Sequence, residues 1–488
     1  MSTPPSFYWH DYETFGISPA RDQPAQFAGV RTDLDFNIID EPHTWYCKPT
    51  PDRLPQAEAC LLTGITPQMA LEKGVAEKRF ADHIHGQLNQ PGTCALGYNS
   101  IRFDDEVTRH LFYRNFIDPY AREWQHGNSR WDLLDMARMC YALRPEGIEW
   151  PQHPDGAPSF KLQDLTNANN ISHTAAHDAL SDVYATIGLA RLIKQQQPRL
   201  FDYLFRLRQR QEVSKILNPQ QAQILLHTSG MIPAQFACTS LFVPLATHAQ
   251  NRNAVIAYDL RYAPDALLEL DIDEIKQCVF TKQNELPENM ERIHLKLIHL
   301  NKSPALAPLT TWNESSATRI QLTIETAEKH LKSLLTRRDL AQILPLVFEN
   351  NFSDDEKSDT PDPELMLYRG GFFSNEDRAR MQKIRSLAPE KLAGLTPAFE
   401  DARLFELFFR YRARNYPDTL NTEEQQRWQQ YCAEKLLDKK NGDGLSALEA
   451  YQKTLAELQI QYDKDSRAQT ILKALQTYPQ QLGIKGID

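Results

Sequence analysis

The chain has 488 residues, 41% hydrophobic and 24% charged, with a formal net charge of −10. That length exceeds one ordinary core and points to about two to four domains, and no apolar run reaches membrane-spanning length. The acidic balance excludes bulk attraction to nucleic acid, so a nucleic-acid partner would need a local basic groove. The seven cysteines (Cys47, Cys60, Cys94, Cys140, Cys238, Cys278, Cys432) lie far apart with no Cys-x-x-Cys pair, which argues against a zinc site or a disulfide framework. They fit a reducing, cytoplasmic setting. Met1 to Ser6 has no basic stretch leading into an apolar one, so no secretory signal is expected.

In chain order, a first strand is expected in Tyr8–Gly16, then strands at Gln26–Thr32, Phe36–Ile39 and Thr44–Cys47, together a β-meander. Thr66–Leu88 has helical patterning broken at Gly74. Thr93–Tyr98 reads as a short buried strand, and Phe103–Asn115, Asp132–Leu143 and Ala175–Ile193 as helices, the last with Ala179, Val183, Ile187 and Ala190 on one stripe. Strands followed by alternating helices and strands predict a mixed α/β domain. From about 199 to 350 short β-type runs (Leu225–Thr228, Thr239–Val243, Ala254–Tyr258, His294–Leu300) predict a small β-rich domain with a few helices, such as Ala327–Leu335. Ser353–Glu364 holds six acids, two prolines and no large apolar residue, which predicts a solvated spacer. Beyond it Ser374–Asp377 resembles a capping box, and Arg403–Arg414, Thr422–Leu437 and Gly444–Leu472 carry helical periodicity.

Three short signals carry chemistry. Asp11 and Glu13, two apart on a strand among large apolar residues, share a face. Like charges there resist ionising, and a hard divalent cation relieves them. A solvated strand end would show the same spacing, which recurs at Asp354/Glu356 and Asp362/Glu364 in a polar run. Asp104 follows Asn99-Ser100-Ile101-Arg102-Phe103 at a helix start, where the dipole favours an anion. It is either a site acid or an ordinary helix-start acid. His177 precedes Asp182 near the start of the Ala175–Ile193 pattern, and histidine is the usual general base near neutral pH, though a lone histidine is also a common surface residue.

In this order, Asp-x-Glu, Asn-x-x-x-Phe-Asp and His-x-x-x-x-Asp resemble the DEDD exonucleases of the histidine-carrying subclass. His10–Gly16, Gly97–Thr108, Phe112–Asn115, Asn128–Leu134, Ala142–Gly147 and Ala176–Thr186 narrow the resemblance to the bacterial exodeoxyribonuclease I family. It continues through Gln197–Phe205, Asn251–Ile256, Gly371–Ser374 and Tyr411–Asn415, nearly the whole chain.

The resemblance implies a mixed α/β fold: an RNase H-like nuclease domain over 1–198, an SH3-like β-rich domain over 199–350, an acidic linker over 351–364 and a C-terminal helical domain over 365–488. It implies a 3′→5′ exonuclease that degrades single-stranded DNA to 5′-mononucleotides in repair and recombination. Asp11, Glu13, Asp104 and Asp182 would hold two Mg²⁺ ions, with Mn²⁺ as a substitute, and His177 would deprotonate the attacking water. Glu13 and His177 would also touch the strand, as would Arg109, Tyr120, Trp124, Arg138 and Lys161 in the nuclease part. Lys161 stands where the family commonly has arginine, which keeps the charge but loses the bidentate fork. Arg210, Asn253, Lys296 and Asn301 would line the path in the second domain, although Gly230–Phe242 lacks tryptophans the family carries. The family further implies a monomer that contacts the acidic C-terminal tail of single-stranded DNA-binding protein, near Arg144 and Tyr203. The rival readings are an exonuclease of RNA ends, which the additional length disfavours, and a catalytically idle single-strand-binding module, which the complete acid set disfavours.

Overall fold

Strand β1 (Ser6–Thr14) is flanked on one side by β2 (Pro24–Thr32), antiparallel, and on the other by β4 (Thr93–Gly97), parallel; β3 (His43–Tyr46) pairs with the outer edge of β2. This computed structural model describes residues 4–173, 176–349, 362–439 and 444–484. By internal contacts the chain divides into two units. One is Met1–Asn128, Thr174–Tyr184 and Lys357–Asp488; the other is Ser129–His173 and Ala185–Glu356.

In the first unit, the alternation of β1 decides which side chains meet the core. Tyr8 and Tyr12 face a buried cluster with Phe27, Phe80, Ile84, Val107, Leu111 and Phe112, built under helices Glu77–Leu88 and Asp104–Arg114. Phe7 and Trp9 lie on the opposite face against Phe36, and Trp9 Nε1 donates to Thr32 Oγ1 at 2.9 Å. Asp11 and Glu13 continue that second face toward the C-terminal end of the strand. Helix Pro67–Lys73 starts at a Thr66 cap and stops at Gly74, as its sequence signals predict.

The expected strand Phe36–Ile39 does not form. Asp33 Oδ1 accepts N–H bonds from Asp35 and Asn37 at 2.9 Å each, Phe36 takes a φ of +67°, and only an isolated Thr32–Ile38 bridge remains. Local side-chain bonding to the backbone outcompetes the ladder. The helix expected over Ala175–Ile193 runs from Ala179 to Gln196, its first turns belonging to this unit; Ala175 lies outside the described residues.

The C-terminal part of this unit is helical: Asn375–Ser386, Arg403–Asn415, Thr422–Leu437, Ala447–Gln461 and Ser466–Gln481. Asn421 and Ser446 each form a full capping box, whereas Ser374 caps Asp377 N–H alone. The pattern Gly444–Leu472 is two helices, separated at Tyr462–Asp465. The last pair packs Leu448, Tyr451, Leu455, Ile471, Leu472 and Leu475 against Phe15, Ala25, Cys60 and Ala70.

Most of the acidic stretch 351–364 lies outside the described residues. Its end is not solvated spacer: Glu364 is buried and paired with Arg53 at 2.7 Å and with Arg414, while Asp362 pairs with Arg410 at 2.6 Å. Arg414 also grips Asp52 at 2.8 Å, and Lys435 reaches Asp52 at 3.0 Å. The cations hold Asp52 and Glu364 well below the usual carboxylate range against the opposing effect of burial.

The second unit holds a short strand β5 (Ser129–Asp132) and an antiparallel sheet ordered β10-β6-β7-β8-β9, with β6 Leu225–Thr228, β7 Thr239–Thr247, β8 Ala254–Asp259, β9 Leu295–His299 and β10 Ala305–Pro308. The four expected β runs are present. The sequence reading missed β10, and it missed helices Ile272–Phe280 and Leu340–Val347, whose short apolar runs resemble strands. Among the described residues no helix is long and apolar enough to cross a membrane.

Removing one partner from a buried pair strands the other charge. Glu364→Ala should therefore lower stability by about 3–5 kcal/mol in urea unfolding, because Arg53 and Arg414 lose a shared carboxylate. Glu212→Ala, in an exposed pair with Lys215, should change it by less than about 1 kcal/mol.

Candidate active site

Asp104 reaches β1 through backbone chemistry. The parallel β1–β4 pairing ends at Trp9–Leu96, and farther along β1 the Tyr12 N–H donates to Asp104 Oδ1 at 3.0 Å. Gly97 permits this approach, since a Cβ there would lie 2.6 Å from the His10 carbonyl oxygen. Tyr12 Oη and Thr108 Oγ1 stand 3.0 Å apart, and Thr108 Oγ1 donates to Asp104 C=O at 2.8 Å, so the first turn of the helix is tied to the strand.

Asp182 and His177 arrive from the start of helix Ala179–Gln196. His177 has a φ of +65°, and its N–H donates to Asp182 Oδ2 at 3.3 Å. One donor atom each from Glu13, His177 and Asp182 lie within 4.8 Å of one another. Asp11 and Asp104 stand outside that trio but belong to the same electrostatic site. Burial pushes the Asp11 carboxyl well above its ordinary range, reinforced by Asp104, Glu13, Asp182 and Asp178. Burial likewise pushes Glu13 up to about 8, with Asp182 and Asp178 adding to it. The structure thus brings Glu13, His177 and Asp182 within reach of one another, with Asp11 in electrostatic contact with Glu13, Asp182 and Asp104.

Asp178 is a further carboxylate in this group that the sequence reading did not single out. Its Oδ2 accepts the Ser181 N–H at 3.2 Å, and its Oδ1 accepts from Gln26 Nε2 at 3.4 Å. Gln26 stands opposite Glu13 in the β1–β2 register. The signal available for it was a lone amide in a strand otherwise rich in small and apolar residues.

The expected strand contacts differ in what they offer. Trp124 is 67% exposed, an available stacking face. Tyr120 is half-buried, with the Arg109 guanidinium 5.3 Å over its ring. Arg109 itself is only 5% exposed, and its three guanidinium nitrogens donate to Glu123, Glu106 and Tyr368 Oη. As the structure stands, Arg109 backs Tyr120 rather than presenting a charge. In the second unit Arg138 pairs with Asp135 at 2.7 Å, while Lys161, Arg210 and Asn301 are exposed. Asn253 and Asn301 sit at one end of the β8–β9 pair, where the Leu300 N–H donates to Asn253 C=O at 2.7 Å, and Lys296 pairs with Ala257 further along.

The donor set fits a divalent metal: clustered oxygens with one imidazole, held in a pocket that raises carboxylate pKa values. Because folding raises these pKa values, the folded protein binds more protons than the unfolded chain between the ordinary carboxylate range and about 8. Stability of the metal-free protein should fall across that window as pH rises. The melting-temperature gain from added divalent cation over a chelator-treated sample should be larger at about pH 8.5 than at about pH 5.

Three family models match the chain: one described as Exonuclease over residues 8–190, one as Exonuclease I SH3-like domain over 208–350, and one as Exonuclease I C-terminal domain over 361–482. Exodeoxyribonuclease I of Escherichia coli is 46% identical over 477 residues, 98% of this chain and 98% of that protein. The Haemophilus influenzae protein of the same name is 48% identical over 434 residues, 88% and 90% of the two chains. Among solved structures, a moderately thermophilic Exonuclease I from Methylocaldum szegediense superposes with a TM-score of 0.92 at 47% identity, covering 98% of this chain and 99% of that one. E. coli Exonuclease I in complex with a dA16 oligonucleotide gives 0.92 at 46%, covering 98% and 100%. The zinc-bound form of the E. coli ExoI–ssDNA complex gives 0.91 at 46%, covering 98% and 100%.

Proposed function

The chain belongs to the exodeoxyribonuclease I family, and from that premise we propose that it hydrolyses single-stranded DNA from the 3′ end, releasing 5′-mononucleotides, in DNA repair and recombination. The observation that carries this reading is the meeting of Glu13, His177 and Asp182 beside Asp11 and Asp104. These acids and the imidazole come from three separate stretches of chain, and the like charges of the acids oppose their convergence.

Asp11, Glu13, Asp104 and Asp182 are the ligands in this reading, for two Mg²⁺ ions, with Mn²⁺ able to substitute. Bound cations would lower the pKa of a water and offset charge on the phosphorane-like transition state. His177 would take the proton from the attacking water, its imidazole lying within 4.8 Å of donor atoms of Glu13 and Asp182. No side chain acts as a nucleophile. Trp124 and Tyr120 offer ring faces to bases, and Arg109 holds Tyr120 from behind. Arg138, Lys161, Arg210, Asn253, Lys296 and Asn301 are assigned to the phosphate and sugar path.

The domain boundaries proposed from the sequence are near 198, 350 and 364. A monomeric, cytoplasmic enzyme is the accompanying reading, and the seven buried free thiols are compatible with a reducing compartment. For the acidic tail of single-stranded DNA-binding protein, support comes from a cavity lined by Arg144, Arg199, Leu143, Leu200 and Tyr203, which pairs cations with an apolar floor.

A 3′-blocked and a 5′-blocked single strand, each incubated with Mg²⁺ and with chelator, test polarity and metal dependence together. Mononucleotides should appear only from the 5′-blocked strand with Mg²⁺, and a matched RNA strand should persist. Asp182→Ala should abolish release while circular dichroism and strand binding stay intact; undiminished turnover would refute the ligand assignment. His177→Ala should lower kcat by about 10²–10⁴-fold with divalent-cation binding retained in calorimetry.

A further inference from the structure

Gln26 is 1% exposed, and its side-chain amide is used at both ends. Oε1 accepts the Ala179 N–H at 3.2 Å, while Nε2 donates to Asp178 Oδ1 at 3.4 Å and to Tyr46 Oη at 2.9 Å. It therefore ties β2 to the two residues that follow His177. Asp178 passes the restraint on: its carboxylate caps the helix through Ser181 N–H, and its carbonyl accepts the Asp182 N–H at 3.0 Å. His177 sits just before this knot in the left-handed region, which a non-glycine residue keeps only when its surroundings hold it there.

We propose that Gln26 is a positioning residue for the reaction: it straps the His177–Asp178 turn to the sheet and so keeps the imidazole beside Glu13 and Asp182. The amide is chemically specific for this task. It must offer an acceptor to a backbone N–H and a donor to a carboxylate from one side chain. Glutamate would add another negative charge to a crowded group, and leucine would leave Asp178 Oδ1 and the Ala179 N–H without this partner. The Ala179 N–H can only donate and the Asp178 carboxylate accepts, so together they fix which way the amide lies, and the Tyr46 hydroxyl accepts from the same Nε2. The strap acts only through His177, so the inference rests on the assignment of His177 as the base.

A double-mutant cycle on the full chain with single-stranded DNA tests it. Gln26→Leu alone should lower kcat by about 10²-fold, the scale of a base misplaced by about an ångström, with KM for the strand nearly unchanged. In the His177→Ala background the same change should lower kcat by less than about twofold, because the group it positions is gone. Equal losses in both backgrounds, or no loss in the parent, would overturn the strap. His177→Ala as fast as the parent would instead overturn the base assignment itself, so the two failures are separable. Thermal unfolding of each variant accompanies the cycle. If Gln26→Leu does not fold, Asp178→Asn carries the same test: it keeps the size and the Ser181 cap but sets amide donor against amide donor at Gln26, and it should show the same non-additivity with His177→Ala.

Discussion

Carboxylates crowded into a partly dehydrated pocket repel one another, and the first unit is built to hold them there regardless. Asp11 and Glu13 share a strand face, Asp104 is fastened to Tyr12 N–H, and Asp182 is delivered by a helix start whose first residues are bonded to Gln26. Left alone, such a group would lower its energy by spreading apart or by taking up protons. The fold prevents the first with a stiff platform beneath β1, where Tyr8, Tyr12, Phe27, Phe80 and Phe112 are all at most 4% exposed. The second is what the raised Asp11 and Glu13 values express in the metal-free protein.

The same unit contains the opposite electrostatic arrangement. Asp52 and Glu364 are as buried as any acid at the candidate site, yet Arg53, Arg414 and Lys435 surround them and pull their pKa values down. One group of acids is neutralised by the chain itself, and its work is to join segments near residues 52, 364, 414 and 435. In the other, burial and neighbouring carboxylates push the Asp11 and Glu13 pKa values up, the environment in which a divalent cation is a fitting counter-charge. This difference in electrostatic surroundings, more than burial or residue type, separates the structural acids from those proposed as metal ligands.

Cations expected to meet DNA divide in the same way. Arg109 is enclosed by Glu106, Glu123 and Tyr368, so its charge is matched within the protein while its guanidinium lies over the Tyr120 ring. Lys161 and Arg210 remain exposed, where a chain of net charge −10 needs local positive surface to approach a phosphate backbone.

The sequence by itself determined what repeats locally. Alternation put Asp11 and Glu13 on one face, and 3.6-residue periodicity located helix Thr422–Leu437. The ordered motifs singled out Asp11, Glu13, Asp104, His177 and Asp182 as candidates before any contact was known. Tertiary structure alone decided how distant segments satisfy one another. Phe36–Ile39 carries strand-like residues, but Asp33 takes its backbone into a turn. Glu364 reads as solvated until Arg53 and Arg414 are placed beside it, and Gln26 is an ordinary strand residue until Asp178 and Ala179 reach its amide. A side chain's period is written in its neighbours along the chain. Its partner is set by packing between segments far apart in sequence, where charges and hydrogen bonds removed from water must be matched.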